Sequence, residues 1–260
     1  MDNIPAPLVF MYHGITSPSM PSLQGREIGA ELYDVTLDNF KAQMQWLKAQ
    51  GCKPQLLEDI NAQSPGKKVI LTFDDGEMNN FQLAFPVLKE LGWKAYFFII
   101  VKRIGKNGYM GWDELKKLAQ AGMVIGSHGL SHEILTNLLD SQIEEELRAS
   151  KKYLENNLGF TIYTLSIPRG FCNDKIIETA YQLGFSSPVF VSEKPVHLKS
   201  PCLGRVAVKA NWSLKRYEVA LKGGVPWIEK IGDFLKKVLK TVFRESGYNW
   251  IRGLLIRLLK

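Results

Sequence analysis

Two histidines four residues apart, His128 and His132 in the segment SHGLSH, have the side chains and spacing to bind one metal ion. Residues four apart share a face of a helical turn, so both imidazole rings could reach the same ion. Such a pair is a weak indication by itself, because it also occurs on solvated helices. A carboxylate from a neighbouring strand would complete a two-histidine, one-carboxylate set, which leaves positions open for water and substrate.

The segment LTFDDG, residues 71–76, could supply that carboxylate. Asp74 and Asp75 end an apolar run, and Gly76 lets the chain turn away sharply. Successive side chains of extended backbone point in opposite directions, so one aspartate could bind a metal while the other stays free as a base. A solvated turn or a helix N-cap would explain Gly76 and one aspartate. Neither explains why the pair ends an apolar strand.

A recurring pattern indicates the elements that position these residues: a helical segment, a glycine, and a short apolar run rich in β-branched and aromatic residues. Such runs are typical of buried strands. Their alternation with helices predicts βα units and a parallel sheet covered by helices. The predicted strands lie near residues 8–12, 69–73, 95–101, 123–127, 162–167, 188–192 and 205–208, with a weaker candidate near 54–57.

Seven or eight parallel strands favour an α/β fold of the distorted (β/α) barrel type. A doubly wound open sheet is the alternative, but it usually has a glycine-rich phosphate loop after its first strand, and MYHGITSPSM has none. In both folds the chemistry gathers at the C-terminal ends of the strands. The polar residues predicted at these ends are Tyr12-His13, Asp74-Asp75, Ser127-His128 and Pro168-Arg169-Gly170.

Composition restricts where the protein works. The cysteines Cys52, Cys172 and Cys202 are odd in number and far apart, which fits neither a disulfide framework nor a zinc cluster. The chain has no run of 18 apolar residues, so no transmembrane helix is indicated. Its N-terminus lacks the basic start and apolar stretch of a signal peptide. We therefore expect a cytoplasmic protein with reduced thiols.

Basic charge is concentrated near the end of the sequence. The net charge is +7, and residues 229–260 hold eight basic against three acidic side chains. The rest is close to neutral, which argues against nucleic acid as a partner. Apolar residues recur there at helical spacing, so we predict a barrel domain, residues 1–225, and a basic amphipathic helical tail, residues 226–260. The tail could pack on the barrel or another subunit, or make peripheral contact with the inner face of an anionic membrane.

Together, LTFDDG, SHGLSH and SIPRGFCNDKIIETAYQLGF resemble successive motifs of the polysaccharide deacetylase family, the NodB-like enzymes of carbohydrate esterase family 4. The resemblance runs from about residue 8 to about residue 208. It implies hydrolysis of an N-acetyl group on an amino sugar. Asp74 is then the catalytic base, and the metal ligands are Asp75, His128 and His132. The turn Pro168, Arg169 and Gly170 matches the family's substrate-binding Pro-x-Gly turn, where the backbone N–H after the proline helps to hold the oxyanion.

The sequence departs from the family pattern in three places. Leu165, three residues before Pro168, stands where many members have an arginine that orients the base. Arg169 replaces an aromatic residue, and could bind an anionic substrate group or be a solvated turn residue. The family's Leu-x-x-His acid motif is missing near the C-terminus. His13 in MYHGI matches the branch that begins with a Tyr-His-x-Ile strand, where that histidine is the acid. A core histidine is the alternative for His13, and His197 is the rival acid.

These features predict a metal-dependent carbohydrate N-deacetylase with one divalent ion, for which zinc is favoured and iron, cobalt and nickel are alternatives. The expected partner is an N-acetylated glycan. A deacylase or deformylase of a lipid-linked sugar is one alternative, and a catalytically silent glycan-binding relative is another. A non-haem iron oxygenase uses the same ligand types, but it gives no role to a free aspartate beside the ligand.

Overall fold

The computed structural model describes residues 7–60, 67–187, 189–192 and 202–223. The strands of this part of the chain are β1 (Leu8–Tyr12), β2 (Ile15–Thr16), β3 (Val35–Thr36), β4 (Val69–Phe73), β5 (Tyr96–Ile99), β6 (Val124–Ser127), β7 (Val189–Ser192) and β8 (Cys202–Ala207). Six of them form one sheet in the order β6-β5-β4-β1-β8-β7, and all its pairings are parallel. The short strands β2 and β3 pair separately.

Helices follow most strands of the main sheet, as the repeated βα pattern predicts. They are α1 (Leu37–Ala49), α2 (Phe85–Glu90), α3 (Trp112–Gln120), α4 (Asp140–Leu158), α5 (Asp174–Gln182) and α6 (Leu214–Leu221). A π-helical segment, Asn80–Ala84, leads into α2. Within the described ranges, no helix combines the length and apolar character needed to cross a membrane.

A short segment joins the two edges of the sheet. Isolated parallel bridges pair Leu165 with Ser127 of β6 and Ser166 with Phe190 of β7. The Ser166 N–H donates to the Ser127 carbonyl at 2.9 Å, and the Phe190 N–H donates to the Leu165 carbonyl at 2.8 Å. The sheet therefore curls until its edge strands β6 and β7 are connected through this segment, as in a distorted barrel.

The predicted count of seven or eight full strands is too high for the described residues. The predicted strand at 162–167 is reduced to the two bridges, because the chain turns at Pro168 directly afterwards. The weak candidate at 54–57 is not a strand, and a 3₁₀ turn, Leu57–Asp59, begins there. Pro54 has no N–H to donate to a ladder, and the Gln55 N–H donates to the Val69 carbonyl.

Side chains that alternate along the strands divide the apolar core into two clusters. One cluster contains Val9, Ile70, Phe98 and Leu203 and fills the space that the sheet encloses, while the larger cluster lies between the sheet and the helices. Thr72 lies two residues after Ile70, so both side chains point to the inner face of the sheet. The inner face therefore changes from apolar to polar toward the C-terminal end of this strand. The candidate site lies there.

The predicted tail, residues 226–260, lies outside the described residues, as do its boundary after residue 225 and the rival acid His197.

Candidate active site

Asp74 lies one residue beyond β4 and is held by an arginine from another strand. The Arg205 guanidinium, in β8, donates from Nη1 to Asp74 Oδ1 at 2.7 Å and from Nη2 to Asp74 Oδ2 at 2.8 Å. Nη2 also donates to Ser166 Oγ at 2.7 Å, and Ser166 Oγ lies 3.3 Å from Asp74 Oδ2. Both partners of the ion pair are buried. A bidentate arginine–carboxylate pair of this kind fixes the orientation of the carboxylate.

The charge of Arg205 keeps Asp74 ionised. Burial alone would raise the pKa of the Asp74 carboxyl, but the Arg205 charge, His128 and the Arg205 hydrogen bonds outweigh it, and the pKa is held well below its usual range. Asp74 is therefore a carboxylate at neutral pH. It can accept a proton, which is the property that a base requires.

Arg205 is a site residue that the sequence analysis missed. It holds Asp74 as the family resemblance leads us to expect of an arginine at position 165, where this chain has Leu165. A signal was present in CLGRVAV, residues 202–208, because a charged residue inside an apolar strand is almost never buried without a partner.

Asp75, His128 and His132 come together as a triangle of ligand atoms beside Asp74. Asp75 Oδ1 lies 3.5 Å from His128 Nε2 and 3.6 Å from His132 Nε2. Ligand atoms about 2.1 Å from a tetrahedral zinc ion would be about 3.4 Å apart. Asp75 Oδ1 is buried and has no hydrogen-bond partner within the described structure. The three residues could hold a metal ion, which would satisfy this oxygen.

Both histidines direct Nε2 toward the triangle, because an acceptor on the opposite side of each ring binds Nδ1. His128 Nδ1 lies 2.8 Å from the Ser166 carbonyl oxygen, and His132 Nδ1 lies 2.8 Å from Glu27 Oε1. Each acceptor selects the tautomer with a proton on Nδ1 and a free lone pair on Nε2. Glu27 is another residue that the sequence analysis missed, and its loop carries no motif that could have revealed it.

The surroundings give the two imidazoles different proton affinities. Burial lowers the pKa of His128 to about 4, against the opposing effect of Asp74, so its ring is neutral at neutral pH and able to bind a metal. Burial also acts on His132, but the hydrogen bond to Glu27 and the Asp75 charge outweigh it and raise the pKa of His132.

Three site residues have backbone conformations that are rare for residues other than glycine. Asp75 has φ of 72°, His132 of 70° and Arg169 of 56°, and they are the non-glycine residues with positive φ among those that the structure describes. Such conformations cost of order 1–3 kcal/mol each and persist where the surroundings enforce them. The positive φ of Asp75 turns the chain, so the side chains of Asp74 and Asp75 point in different directions.

The histidine pair lies on a loop and not on the helical turn that its spacing suggests. Residues 128–132 are irregular, and Glu146 of α4 holds their backbone. Glu146 Oε2 accepts from the N–H groups of Leu130 and Ser131 at 3.1 and 3.0 Å, and Glu146 Oε1 accepts from Ser131 Oγ at 2.5 Å. The positive φ of His132 then returns its ring toward His128, and the ring centroids are 5.0 Å apart. The ligand prediction agrees with this geometry, while the helical reasoning behind it was wrong.

His13 follows β1 at the same end of the sheet. Its positive charge, when protonated, contributes to lowering the pKa of Asp74, which places the ring within electrostatic reach of the base. Its Nδ1 is buried and has no hydrogen-bond partner among the described residues. The ring centroid lies 5.2 Å from that of Tyr33. The geometry does not match the alternative of a core histidine whose ring is hydrogen-bonded to backbone.

The segment Pro168–Gly170 forms a 3₁₀ turn at the end of the bridging segment, with Pro168 buried. Pro168 packs beside the histidine loop, since a Cβ added to Gly129 would lie 3.4 Å from its ring. The Gly170 N–H donates to the Ile167 carbonyl at 3.0 Å and closes this turn. The Arg169 side chain is 25% exposed, and its Nη2 lies 3.3 Å from Glu27 Oε1, so it is not a freely solvated turn residue.

Comparison with known proteins identifies the family. The polysaccharide deacetylase family model matches residues 61–188. YxkH of Bacillus subtilis, whose name places it with the polysaccharide deacetylases, is 32% identical over 187 residues, covering 70% of this chain and 63% of that protein. The poly-β-1,6-N-acetyl-D-glucosamine N-deacetylase of Staphylococcus aureus strain MRSA252 is 26% identical over 183 residues, or 63% of each protein.

Solved structures share the fold. BC0361, a polysaccharide deacetylase from Bacillus cereus, is 26% identical with a TM-score of 0.71, covering 83% of this chain and 69% of that chain. The Streptococcus pyogenes deacetylase PplD has a TM-score of 0.72 at 24% identity, covering 85% of this chain and 99% of its own. The chain belongs to the polysaccharide deacetylase family. It spans about 63% of the length of the curated relatives described above.

Proposed function

We propose that the protein is a metal-dependent hydrolase that removes the N-acetyl group from an amino sugar in a glycan. The observation that carries this proposal is the triangle of Asp75, His128 and His132 next to a separate, ionised Asp74. The triangle offers ligands for one divalent ion, most simply zinc, and Asp74 offers a base that the ligand set does not use. A non-catalytic glycan-binding relative would not need this arrangement.

A divalent ion in this site would polarise the amide carbonyl and lower the pKa of a water molecule. Asp74 accepts the proton of the attacking water. Arg205 keeps the Asp74 carboxylate ionised and fixed in direction, so the proton acceptor is ready before substrate binds. The bidentate geometry supports this positioning role, because both carboxylate oxygens are held.

The remaining groups act on the amide that is cleaved. The N–H of Arg169, in the turn after Pro168, is proposed to donate to the carbonyl oxygen as negative charge develops on it. His13, on the same face as Asp74, is proposed to protonate the departing amine. Its buried, unpartnered Nδ1 supports a role in which the ring finds its partner only when substrate is present.

The proposed substrate class is a polymer or oligomer of N-acetylglucosamine. The similarity to the S. aureus deacetylase, whose name specifies a poly-N-acetylglucosamine, supports this choice. The family's N-acetylated polysaccharides favour it over a lipid-linked sugar.

Acetate release tests the proposal directly. The purified protein, stripped with a chelator and reloaded with zinc, cobalt, nickel or iron(II), is incubated with β-1,6- and β-1,4-linked N-acetylglucosamine oligomers and with an N-acylated lipid-linked sugar. We expect acetate and free amine in equal amounts from at least one oligomer, only with metal present, and none from the His128→Ala variant. Oxygen consumption without acetate, or binding of oligomers without hydrolysis by the metal-loaded protein, would reject it.

A further inference from the structure

Glu27 reaches the metal-ligand triangle from a segment that none of the sequence motifs includes. It lies between β2 and β3, 105 positions from His132 in the sequence. One carboxylate oxygen, Oε1, lies 2.8 Å from His132 Nδ1, 3.2 Å from Arg103 Nη2 and 3.3 Å from Arg169 Nη2. Arg103 follows β5, His132 follows β6, and Arg169 follows the segment that bridges β6 and β7. Glu27 therefore connects three separate loops next to His132.

The neighbouring residue fixes this segment in place. The Arg26 side chain is 4% exposed and pairs with Asp34 and with Glu77, its Nη1 lying 2.8 Å from Glu77 Oε1. Glu77 is two residues beyond Asp75, so the segment that carries Glu27 is anchored to the turn that carries another ligand. Glu27 therefore directly follows a residue that two buried carboxylates hold, and its own carboxylate lies 2.8 Å from His132 Nδ1.

His132 needs such an external partner more than His128 does. The Nδ1 of His128 faces a backbone carbonyl within the barrel wall. His132 lies on an irregular loop with a positive φ, and its ring orientation is supported by a side chain instead. A carboxylate that accepts from the distal nitrogen of a metal-binding imidazole fixes the tautomer and strengthens the imidazole as a ligand.

We propose that Glu27 is a positioning residue of the metal site, which holds His132 with Nε2 toward Asp75 and so increases the affinity of the site for a divalent cation. Arg103 and Arg169 also pair with Glu27 Oε1, but the direct contact between Glu27 and His132 Nδ1 carries the proposed role. This inference rests on the metal site of the proposed function. It does not depend on which acyl sugar is cleaved, because the binding of a metal ion can be measured without substrate.

Metal titration of the full-length apo-protein tests the role of Glu27. Zinc affinity is measured by competition with a chromophoric chelator, and the ligand field is measured from the visible spectrum of the cobalt(II) form. In Glu27→Ala, we expect the Kd for zinc to rise roughly 10- to 100-fold, the usual effect of losing such a partner, and the cobalt bands to shift. Glu27→Gln keeps an oxygen that can accept from Nδ1 but loses the charge, so its Kd should lie between those of the wild type and Glu27→Ala.

A control separates orientation of His132 from simple tethering of the loop. The double variant Arg103→Gln, Arg169→Gln removes both guanidinium partners but leaves the carboxylate beside His132, and its Kd should stay close to the wild-type value. Equal weakening in this variant and in Glu27→Ala would overturn the proposal, as would unchanged zinc affinity and cobalt bands in both Glu27 variants. Because sugar is absent from these titrations, failure of the deacetylase assay leaves their result intact.

Discussion

Arg205 binds both carboxylate oxygens of Asp74 at 2.7 and 2.8 Å, although 131 positions separate the two residues in sequence. The pair joins the end of β4 to β8 across the enclosed end of the sheet. The family resemblance leads us to expect a positive charge three residues before Pro168, where this chain has Leu165. In this chain Arg205 of β8 supplies the positive charge.

The first prediction concerns this pair. Replacing Arg205 with Met removes the largest of the effects that oppose the burial of Asp74, so the pKa of the base should rise by about 1–3 units. The acidic limb of kcat/KM should then move to higher pH by a similar amount, because Asp74 must be deprotonated to act. The measurement is the pH profile of acetate release. An acidic limb at the wild-type position in Arg205→Met would show that Asp74 is not the titrating base.

The same substitution should destabilise the fold by about 3–5 kcal/mol, since it leaves a buried carboxylate unpaired. The double variant Arg205→Met, Asp74→Asn should recover part of that loss in urea unfolding, because the remaining amide is uncharged. If both variants unfold at the same urea concentration, the cost arises from lost packing and not from the unpaired charge.

The second prediction separates the adjacent aspartates. Asp75→Asn should lower metal affinity and activity together, as should His128→Ala and His132→Ala. Asp74→Asn should keep the metal and lower kcat by roughly 10²-fold or more, the usual range for a lost general base. Metal content after dialysis and kcat are measured on the same samples. Loss of metal from Asp74→Asn to the extent seen in Asp75→Asn would reverse the assignment.

The third prediction concerns His13. A general acid must be protonated, so a histidine in this role gives kcat/KM an alkaline limb. His13→Ala should remove that limb and lower activity while the metal stays bound. His197→Ala is the matched control and should keep the limb. The opposite result, with the limb lost only in His197→Ala, would transfer the acid role to His197.

The fourth prediction concerns residues 226–260. We propose that this basic tail attaches the protein to the anionic inner face of the cytoplasmic membrane, where each basic side chain could contribute on the order of 1 kcal/mol before screening. The full chain should co-sediment with anionic vesicles, less so at high salt, while a chain ending at Val225 should stay folded and unbound. Absence of binding at low salt, or unfolding of the shorter chain, would instead make the tail a packing element.

Local signals in the sequence identified most of the strands and predicted residues that the structure brings together as a possible metal site. The apolar runs ending in Asp74 and His128 placed both at one edge of a parallel sheet, and the structure confirms this arrangement. The same reasoning failed where long-range contacts decide the outcome. Spacing alone suggested a helical turn for His132, but Glu146 holds the segment as a loop. The partners Glu27 and Arg205 reach the site from distant segments, and no local pattern encodes their meeting.

Leu165 and Ser166 connect the two edges of the sheet by one bridge each, Leu165 to Ser127 of β6 and Ser166 to Phe190 of β7. Ser166 also contacts two groups of the candidate site. Its carbonyl lies 2.8 Å from His128 Nδ1, and its hydroxyl accepts from Arg205 Nη2 at 2.7 Å. Local opening of this segment would remove one contact from the His128 ring and one from the Arg205 guanidinium. We therefore expect closure of the ring and order in the site to be coupled, and zinc should slow deuterium uptake at the amides of Ser166 and Ile167 more than at those of β1.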